Sequence, residues 1–581
     1  MDLRQAVTDA LTVALGEHAE KVGNIERMLS HPPRPEMGDI AFGCFPLARL
    51  LKKAPVDIAK ELAPQIEAGG LIQRAEAMGP FINFFADPSK LLDWATGAVL
   101  NDEFFKQAHV AEPQRIMVEF SQPNTHKTFH VGHLRNVALG DALVQIFKAQ
   151  GHQVIPVNYY GDFGIDVAKC LWWIQNHPED KAPTENRAAW LGEAYTSANA
   201  LLARDKNDED SVVAEKAARF EEVRTILAGM EGADAEITAL YQQTRKWCLD
   251  DFKSVYSWLG VQFDNDFFES EMEEPAQAVV DDYLSKGVFE EDDGAIVCRL
   301  TPKIKTPALV RKSDGTSLYM TWDLALASAK FDRYNIERSL YVVGTEQKFH
   351  FQQLFATLSK MGYDRAKDCR HVAYELVMLP EGKMSSRNGT AIPLHTLRQS
   401  VCDVIATRID EGERVGAEER DETIRRIAVS CLKYGMLSVG NNKRVIFNLD
   451  DWVNPLGDTG AYLLYSVARI AGIFRKAEQD IELARDTPSS DAFGEEAERA
   501  LLGHLLQYPS AIGRASDACD PSVIAGFAYE GARLFNRFFG NCPILAAEEE
   551  LKETRLRLCA LTHVVLSDAF RVLGIQPVEA M

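Results

Sequence analysis

Residues 115–160 decide the fold, and they read RIMVEFSQPNTHKTFHVGHLRNVALGDALVQIFKAQGHQVIPVNYY. The first six residues form an apolar run of strand length, and a polar, glycine-containing loop follows them. From Leu134 onward apolar residues recur at helical spacing, and residues 153–160 form a second apolar run. This order of strand, loop, helix and strand predicts one β-α-β unit of a parallel, Rossmann-like sheet.

The remaining strands of this sheet are expected further along the chain. SLYVVG (339–344) and HVAYELVML (371–379) read as strands on either side of a helix from about residue 347 to 360. Residues 180–270 are charged and helical, and residues 287–320 have the turn residues of hairpins. We therefore predict a Rossmann-like domain at residues 106–400, with insertions at about 180–320.

Two further domains are predicted on either side of it. Residues 1–105 combine a helix at about 3–21, a proline-rich turn and the strand-like FINFF (81–85), which indicates an α+β unit. Helical periodicity continues to the end of the chain, so we predict a helical connector at 401–454 and a helical domain at 455–581. The predicted fold class is multidomain α/β, with an α+β N-terminal domain, a Rossmann-like parallel sheet with insertions and an all-α C-terminal bundle.

Composition excludes several classes of protein. With 46% hydrophobic and 25% charged residues, the chain resembles an ordinary globular protein rather than a disordered one. It has no apolar stretch of the roughly 18 residues that a membrane span needs, and its N-terminus lacks the basic segment of a signal peptide. The ten cysteines are scattered, so we expect no disulfides and no resident metal site. A cytoplasmic protein without a membrane partner is the expectation.

The charge balance restricts how the chain could bind nucleic acid. Its 63 basic and 85 acidic residues give a formal net charge of −22. Bulk electrostatics therefore argue against a protein that coats nucleic acid indiscriminately. A nucleic-acid partner would have to be met by local basic patches on an acidic body.

The strongest local signal is the sequence His130-Val131-Gly132-His133 at the predicted junction of strand and helix. A helix N-terminus offers N–H groups and a partial positive charge, and glycine lets a nucleotide approach the backbone. Two imidazoles there could hydrogen-bond phosphate oxygens and stabilise charge that develops at an α-phosphate. The alternative is a pair of structural histidines that cap the helix.

A second signal is Lys383-Met384-Ser385-Ser386-Arg387, which follows the predicted strand 371–379. Two cations and two hydroxyls on a glycine-flanked loop could fold over a triphosphate and hold the pyrophosphate that leaves. Alone, the segment would be interpreted as a polar surface loop. Its position after HVGH on the same sheet favours the phosphate interpretation.

The segment Asp162-Phe163-Gly164 resembles the DFG motif of protein kinases. The other kinase motifs, a glycine-rich phosphate loop, VAIK and HRD, are absent from the sequence. We therefore interpret it as a turn from the sheet to a helix beside the site.

HVGH followed by KMSSR resembles the HIGH and KMSKS pair of class I aminoacyl-tRNA synthetases. The surrounding blocks narrow the resemblance to the arginyl-tRNA synthetase family, and they occur in the family's order: EFSQPNTHKTFHVGHLRN (119–136), SDGTSLYMTWDLA (313–325), YVVGTEQKFHFQQLF (341–355) and LPEGKMSSRNGT (379–390). Further blocks resemble its C-terminal and N-terminal domains: TGAYLLYSVARIAGIFRKA (459–477), FNRFFGNCPIL (535–545), PPRPEMGDIAF (32–42) and GPFINF (79–84). The resemblance covers nearly the whole chain.

For the substrate, the resemblance implies a pocket for arginine. The family holds the guanidinium with a Glu, a Tyr and an Asp, which correspond here to Glu119, Tyr319 and Asp323. Carboxylates and an aromatic ring suit a planar, permanently charged guanidinium. Such a pocket would reject lysine, whose ammonium cannot bond bidentately to the same carboxylates, and it disfavours a lysine or glutamate specificity.

Other positions match the groups that hold the backbone end of the amino acid. Asn124, Gln347 and His133 match those that bind its α-amino and α-carboxylate groups. Gln122, also assigned to the arginine pocket, stands where the family usually has Ser, and Trp322 stands where Arg or Lys is common. These two departures put a small contact to arginine and one outward-facing residue in question.

For ATP, the resemblance implies that it is a substrate, accompanied by Mg²⁺ that bridges its phosphates. The expected ATP-binding residues are His130, Gly132, His133, Lys383, Met384, Ser385, Ser386 and Arg387. Ser386 replaces the second lysine of KMSKS, and in this family a lysine just before the HIGH motif is thought to supply that charge. Lys127 matches this position, so the expected catalytic residues are Lys127, His130, His133 and Lys383.

The activity implied is that of an arginine–tRNA ligase. It would activate L-arginine with ATP to arginyl-adenylate and transfer arginine to the 3′-terminal adenosine of tRNA(Arg) in protein synthesis. One alternative is a catalytically silent, tRNA-binding or regulatory relative, against which the intact motif residues count. Another is a paralogue that makes arginyl-tRNA for a biosynthetic pathway, which the sequence does not separate from the first reading.

For tRNA, the resemblance implies that the C-terminal helices hold the anticodon stem and that the N-terminal domain makes a further contact. Arg469 and Lys476 lie seven apart on a predicted helix that also carries Tyr462 and Tyr465. Cations attract phosphates, and aromatic rings stack on bases. The alternative for each is a residue of an ordinary helical bundle. We expect a monomer whose tRNA affinity depends strongly on salt.

Overall fold

The computed structural model describes residues 2–30, 32, 34, 37–203, 209–380, 382–383, 392–412, 416, 418–481 and 488–580. The N-terminal part contains α1 (Leu3–Leu15), α2 (Ala19–Val22), β1 (Leu29–Ser30), β2 (Ile40–Gly43), α3 (Phe45–Leu51), α4 (Pro55–Leu62), β3 (Ile72–Met78), β4 (Phe81–Ala86), α5 (Pro88–Leu100) and α6 (Glu103–Lys106). Its strands form an antiparallel sheet in the order β1-β2-β4-β3. The Asp2 carboxylate caps α1 by accepting a hydrogen bond from the Gln5 amide at 2.7 Å. The α+β character predicted for this part is confirmed.

The central part of the chain alternates strands and helices. Its elements are β5 (Arg115–Glu119), α7 (Val131–Ala149), β6 (Gln153–Tyr160), α8 (Ile165–Asn176), α9 (Arg187–Leu202), α10 (Asp210–Ala228), α11 (Ala235–Leu259), β7 (Asn265–Phe268), α12 (Glu273–Ser285), β8 (Glu290–Asp292), β9 (Ala295–Cys298), β10 (Ala308–Arg311), α13 (Tyr319–Tyr334), β11 (Arg338–Gly344), α14 (Lys348–Lys360), β12 (Cys369–Tyr374), β13 (Val377–Leu379) and β14 (Gly382–Lys383).

A five-stranded parallel sheet organises this central part. Its order is β12-β11-β5-β6-β7, and all four pairings are parallel. The chain starts in the middle with β5, adds β6 and β7 on one side, and crosses to β11 and β12 on the other. This is the Rossmann-like arrangement predicted from the sequence, and such sheets bind ligands at the carboxyl ends of the strands where the order reverses.

The prediction that residues 180–320 are inserted material is wrong for Asn265–Phe268. These residues form β7, which pairs with β6 as an edge strand of the main sheet. NDFF lacks the apolar alternation that marks a strand, so pairing with β6 rather than intrinsic propensity determines its conformation. The segments on either side are additions to the sheet: α9 to α11 before β7, and a separate antiparallel sheet of β8, β9 and β10 after it.

The C-terminal part is helical apart from one short strand. Its elements are α15 (Leu394–Gly412), α16 (Arg420–Leu437), β15 (Val445–Ile446), α17 (Leu449–Trp452), α18 (Gly460–Ala477), α19 (Glu496–Leu505), α20 (Tyr508–Ala518), α21 (Ser522–Asn541) and α22 (Glu549–Val572). α21 packs against α18, α19, α20 and α22, which forms the predicted bundle. In the part of the chain that the structure describes, none of the helices has the length and apolarity that crossing a membrane requires.

Helix α7 is packed tightly into the middle of the molecule. Gly140 lies against Phe120, because a Cβ at this glycine would come within 2.0 Å of the Phe120 side chain. The fully buried Arg135 donates hydrogen bonds to the Glu375 carbonyl at 2.6 Å and to the Lys443 carbonyl at 2.9 Å. The N-terminal half of α7 is thereby fixed against both β5 and the segment that follows α16.

Candidate active site

His130 and His133 form the N-terminal cap of α7. The Nδ1 atom of His130 accepts a hydrogen bond from the Gly132 amide at 3.1 Å, and that of His133 accepts one from the His130 amide at 3.2 Å. The ring centroids lie 3.9 Å apart. A Cβ at Gly132 would come within 2.9 Å of the His130 ring, so glycine is needed for this packing. The capping alternative raised from the sequence is therefore correct, and it accounts for only one nitrogen of each ring.

The protonation state of the pair follows from its surroundings. Burial lowers the pKa of His130 to about 4. Burial, together with the neighbouring His130 and Lys127, lowers the pKa of His133 well below its usual value of 6.5. Because each Nδ1 accepts a hydrogen bond from an amide, the single proton of each neutral ring resides on Nε2. The pair thus offers two uncharged N–H donors at the positive end of a helix dipole, which suits phosphate oxygens.

Lys127 lies on the loop between β5 and α7. Its Nζ atom forms an ion pair of 2.7 Å with Asp166 Oδ2 and lies 5.1 Å from the centroid of the Tyr195 ring. Lys169 binds the other oxygen of Asp166 at 3.1 Å. Burial raises the pKa of Asp166, but the two lysines outweigh that effect and lower it. The predicted catalytic lysine is therefore close enough to influence His133 and is tethered to an acid.

The KMSSR segment lies mostly outside the described residues. The backbone of Lys383 pairs with Met378 in the hairpin of β13 and β14, but its side chain is not described. The sequence predictions for the rest of the loop concern residues that the structure does not describe: Met384, Ser385, Ser386 and Arg387. Their assignment to ATP stays a prediction.

Residues 392–394 lie directly beside the HVGH signature. The Val131 amide donates a hydrogen bond to the Ile392 carbonyl at 3.1 Å, and the Leu394 amide donates to the Phe129 carbonyl at 2.8 Å. The segment that follows the KMSSR loop therefore forms backbone hydrogen bonds with the first residue of α7 and with the loop before it. These contacts place residues 392–394, which follow the KMSSR motif in sequence, beside the start of the HVGH motif.

Glu119 ends β5 and is 3% exposed. Its Oε2 atom accepts a hydrogen bond from the Nζ atom of Lys330, and its Oε1 atom accepts one from Gln122 Nε2 at 3.2 Å. Gln122 Oε1 in turn accepts a hydrogen bond from Asn136 Nδ2, on α7, at 3.0 Å. The glutamine that stands in place of the usual serine thus connects the acid to the signature helix.

Helix α13 carries the other two residues predicted to hold a guanidinium. It begins at Tyr319, so Tyr319 and Asp323 lie one turn apart on the same side, as the sequence predicted. Tyr319 is 60% exposed. Asp323 Oδ2 bonds the imidazole Nε2 of His350 at 2.6 Å. Lys330, two turns after Asp323 on the same side, is fully buried.

Asn124 lies on the loop that follows β5, and Gln347 lies on the connection that follows β11. Asn124 packs against Gly161 after β6, where a Cβ would come within 2.1 Å of Asn124 Oδ1. Gln347 is an exposed residue just before α14, on the connection that follows β11. Because parallel strands end at one edge of the sheet, these loops and Glu119 share the edge at which Rossmann-like sheets bind ligands.

The DFG segment is a turn, as predicted, and it holds a buried acid. Gly164, with a φ of 110°, precedes the first residue of α8. Asp162 is fully buried and accepts hydrogen bonds from Arg245 Nε at 2.6 Å and from Ser270 Oγ at 2.8 Å. Its contacts hold the end of β6 to α11 and to the turn after β7.

Glu269 is a further acid that sequence reasoning missed. It follows β7 and is 6% exposed. Burial, reinforced by the charges of Asp162 and Asp323 and opposed by Lys127, raises the pKa of Glu269 well above its usual value. Its surroundings therefore favour the protonated, uncharged form of this carboxyl group. The signal for it would have been a carboxyl group at the end of a strand, and β7 itself was not predicted.

The arrangement as a whole offers two kinds of binding. His130 and His133 provide uncharged N–H donors, and Lys127 lies close to them. Acidic residues lie near Tyr159, and burial and these acids raise the pKa of Tyr159 well above its usual value. The acids that contribute to this shift are Asp323, Glu269, Glu119 and Asp162. Within the described ranges, no group of three or more His, Cys, Asp or Glu side chains could hold a metal ion by itself. The edge of the sheet can therefore accept a phosphate and a cationic side chain together.

Comparison with known proteins identifies the family. The model of the catalytic domain of class I (R) tRNA synthetases matches residues 96–449, that of the DALR anticodon-binding domain matches 463–581, and that of the arginyl-tRNA synthetase N-terminal domain matches 1–86. The chain belongs to the arginyl-tRNA synthetase family. The resemblance drawn from the HVGH and KMSSR blocks is thereby confirmed.

Arginyl-tRNA synthetases also appear among similar individual proteins. The arginine–tRNA ligase of Bdellovibrio bacteriovorus is 36% identical over 99% of this chain and 97% of its own length, and that of Clostridium acetobutylicum is 31% identical over the full length of both. The structure of Thermus thermophilus arginyl-tRNA synthetase superposes with a TM-score of 0.77 at 22% identity over the full length of both chains. That of Plasmodium falciparum gives 0.73 at 18% identity over 99% of each. These two structures show that the fold is shared.

In the part that matches the DALR domain of arginyl-tRNA synthetases, the predicted tRNA-contact residues differ in their surroundings. Arg469 donates hydrogen bonds to Asn536 Oδ1 at 2.5 Å and to the Tyr465 hydroxyl at 3.0 Å. Asn536 Nδ2 donates to the Tyr462 hydroxyl at 3.0 Å. Lys476 is exposed near the end of α18. Arg469 and Tyr462 thus belong to a hydrogen-bond network between α18 and α21, as expected for residues of an ordinary helical bundle. Lys476, in contrast, faces solvent.

Proposed function

We propose that the protein is an arginine–tRNA ligase that forms AMP and diphosphate and serves protein synthesis. The arginine carboxylate would attack the α-phosphorus of ATP, and pyrophosphate would leave to give arginyl-adenylate. The 2′-hydroxyl of the 3′-terminal adenosine of tRNA(Arg) would then attack the arginyl carbonyl, and AMP would leave. The observation that carries this proposal is the match to arginine–tRNA ligases over nearly the whole chain. The edge of the sheet supports it, because it combines hydrogen-bond donors suited to phosphate oxygens with carboxyl groups.

In the activation step, the protein would act by positioning and charge stabilisation rather than as a nucleophile. The Nε2–H groups of His130 and His133 would hydrogen-bond the α-phosphate as its charge grows, and Gly132 would let the nucleotide lie against the backbone. Lys127 would leave Asp166 to act as a cation for the phosphates. Lys383 and the following loop, Met384, Ser385, Ser386 and Arg387, would fold over the triphosphate.

The amino acid would lie across the carboxyl ends of β5 and β6 and the start of α13. We assign its guanidinium to Glu119, Tyr319 and Asp323, with Gln122 orienting Glu119. Paired carboxylates match the fork of a guanidinium and do not match a compact ammonium. Asn124, Gln347 and His133 would bind the α-amino and α-carboxylate groups, which sets the carboxylate toward the α-phosphate.

We propose that Mg²⁺ accompanies ATP. Bound with ATP, a divalent cation would neutralise part of the charge of the phosphates. The protein's own part would be to direct neutral imidazole donors and lysine charges to the phosphate oxygens.

The tRNA would contact the two ends of the chain. We propose a tRNA-contact domain at residues 1–105, a catalytic domain at 106–400, a connector at 401–454 and an anticodon-binding domain at 455–581, with Lys476, Arg469 and Tyr462 near the RNA. α5 lies at the end of the proposed first domain, and its Asp93 pairs with Arg557 of α22 at 2.7 Å, which joins the first domain to the last. We further propose a cytoplasmic monomer.

The test is aminoacylation of tRNA(Arg) with labelled arginine, with labelled lysine as the control amino acid. The proposal expects ATP-dependent label on the tRNA with arginine and none above background with lysine. Labelling with neither amino acid, with tRNA binding retained, would instead identify a catalytically silent relative.

A further inference from the structure

The most deeply buried cation near the proposed arginine pocket is Lys330. Its side chain has no exposed surface, and its Nζ atom donates a hydrogen bond to Glu119 Oε2. The same Nζ atom lies 4.2 Å from the centroid of the Tyr341 ring, and Tyr341 stands directly opposite Glu119 in the pairing of β11 with β5. Lysine is rarely buried without such partners, because removing its charge from water is costly.

The position of Lys330 on α13 explains how it reaches the pocket. Residues seven apart on a helix share one side, so Lys330 lies beneath Asp323, and Asp323 lies beneath Tyr319. Helical side chains lean toward the N-terminus of their helix, which directs the long Lys330 side chain back toward these two residues. One face of α13 thus carries, from the surface inward, the exposed ring of Tyr319, the partly buried acid Asp323 and the buried cation Lys330.

The charges around the pocket are almost completely balanced within the protein. Asp162 pairs with Arg245, and Asp166 pairs with Lys127 and Lys169. Lys330 balances Glu119 in the same way. Burial raises the pKa of Glu269 well above its usual value, which favours the uncharged form of that carboxyl group. Asp323 then remains as the carboxylate whose partner, His350, is a histidine rather than a lysine or arginine. One remaining negative charge matches the single positive charge of a guanidinium.

We propose that Lys330 is a positioning residue of the arginine pocket: its ammonium binds Oε2 of Glu119 and thereby holds Oε1 toward the substrate guanidinium. This inference rests on the proposed function. Without Lys330, a carboxylate with 3% exposure would lose its only lysine or arginine partner among the described residues, and it would turn away from its position in the pocket. The guanidinium would then lose a charge-assisted hydrogen bond.

The presence of Lys330 also disfavours a lysine substrate. An ammonium placed on Glu119 would share that carboxylate with the ammonium of Lys330, and like charges at such distances repel. A guanidinium spreads its charge over three nitrogens and can reach Glu119 and Asp323 at once, so it suffers less from the buried lysine. The internal cation therefore contributes to selection between the two basic amino acids.

The experiment compares Lys330→Met and Lys330→Arg with the wild type in arginine-dependent ATP–pyrophosphate exchange, with tRNA(Arg) present. For Lys330→Met we expect KM for arginine to rise by about tenfold or more, with KM for ATP within about twofold. For Lys330→Arg, which keeps the charge and the donor, we expect KM for arginine within about threefold of the wild type. The double variant Glu119→Gln with Lys330→Met should be no worse than Glu119→Gln alone, because both changes break one pair.

Lys433→Met is the matched control for the loss of a buried lysine. Lys433 is 1% exposed and pairs with Asp141 at 2.6 Å, on the far half of α7 from the histidines. We expect this change to lower the thermal midpoint without changing KM for arginine. If Lys330→Met does not fold, Lys330→Gln, which keeps a donor but no charge, is measured in its place and should show the same rise in KM.

An active wild type with KM for arginine unchanged in the Lys330 variant would overturn the inference and leave the proposed function intact. A wild type that activates no arginine would overturn both. Additive effects of Glu119→Gln and Lys330→Met would also contradict it, because they would show that the two residues act independently.

Discussion

At the scale of single residues, the two histidines are defined by which nitrogen the backbone uses. Each Nδ1 accepts an amide hydrogen bond in the cap of α7, so each Nε2 carries the proton that can be donated. The sequence suggested both a capping role and a phosphate-binding role for these residues. The geometry makes the two compatible, since one nitrogen serves each.

The capping role of His130 and its proposed catalytic role can be separated by substitution with asparagine. Asparagine is a good N-cap, so His130→Asn should retain α7 and leave the thermal midpoint within about 3 °C. It lacks an imidazole donor at the Nε2 position, and loss of one donor to a charged transition state costs about 100-fold or more in kcat. Steady-state aminoacylation and thermal unfolding of the same preparation check this. A variant with wild-type kcat would show that His130 is a cap alone.

The histidines should stay uncharged well below their usual pKa of 6.5. Burial lowers the pKa of His130 to about 4 and that of His133 well below 6.5. The unfolded chain takes up protons below pH 6.5 and the folded chain does not, so these residues contribute stability above pH 6.5 that is lost as pH falls toward 4. Nuclear magnetic resonance of ¹⁵N-histidine-labelled protein, assigned with His130→Asn, should show the neutral Nε2–H tautomer from pH 8 to 5. A titration midpoint near 6.5 would refute it.

Only some residues of the proposed site could be predicted from the sequence, and the reason is physical. Glu119, Asp323 and the HVGH pair lie in local patterns that resemble a family, so each could be singled out from its neighbours along the chain. Lys330 and Glu269 could not, because what distinguishes them is burial and a partner contributed by a distant segment. Glu119 and Lys330 are 211 residues apart in sequence, and only folding of the sheet brings them together.

At the scale of elements, the position of α7 against β5 decides where the histidines point. Gly140 allows the close approach, since a Cβ there would lie 2.0 Å from Phe120. Arg135 fixes the same helix through the carbonyls of Glu375 and Lys443. The helix that begins with the signature is thus held by contacts on two sides.

Gly140→Ala should destabilise the protein although alanine favours helices. The added methyl group would push α7 away from Phe120, which we expect to cost about 2 kcal/mol after the helix propensity gain of about 1 kcal/mol. Gly526→Ala on α21 is the matched control, because its Cβ meets nothing within 4 Å, and it should be neutral or stabilising. Thermal midpoints of the two variants compare them directly. Equal midpoints would contradict the importance of the Gly140 contact.

The elements themselves were largely predictable where periodicity is strong. β5, β6, β11 and α7 fall close to their predicted positions, because apolar alternation and helical spacing are local signals. β7 was missed, since its four residues carry two polar side chains and acquire strand geometry from β6. The edge strand is the element that depends most on tertiary pairing, and its neighbour Glu269 was missed with it.

At the scale of the whole molecule, an acidic protein must bind a polyanion. The net charge of −22 repels tRNA in general, so binding must rest on a limited set of exposed cations. Arg469 is engaged with Asn536 and Tyr465, whereas Lys476 is exposed on the same helix. Their spacing in the sequence predicted the same role for both residues, and only the packing of α18 on α21 shows that their surroundings differ.

Lys476→Ala and Arg469→Ala should therefore have different effects, the first on tRNA binding and the second on stability. The first should weaken tRNA binding and reduce the slope of log affinity against log salt by about 1, with the thermal midpoint unchanged. The second should lower the thermal midpoint, because Asn536 and Tyr465 lose their partner. Filter binding at several salt concentrations and thermal unfolding measure both. Wild-type affinity that does not change with salt would contradict the electrostatic part of the proposal.

The most direct test of the central claim is ATP–pyrophosphate exchange with arginine, run with and without tRNA(Arg) and with lysine as the control. We expect exchange with arginine and none with lysine, and we expect it only when tRNA is present. Exchange without tRNA would keep the ligase assignment and remove the requirement for tRNA. No exchange under either condition, in a protein that still binds tRNA, would contradict the assignment of arginine activation to this site.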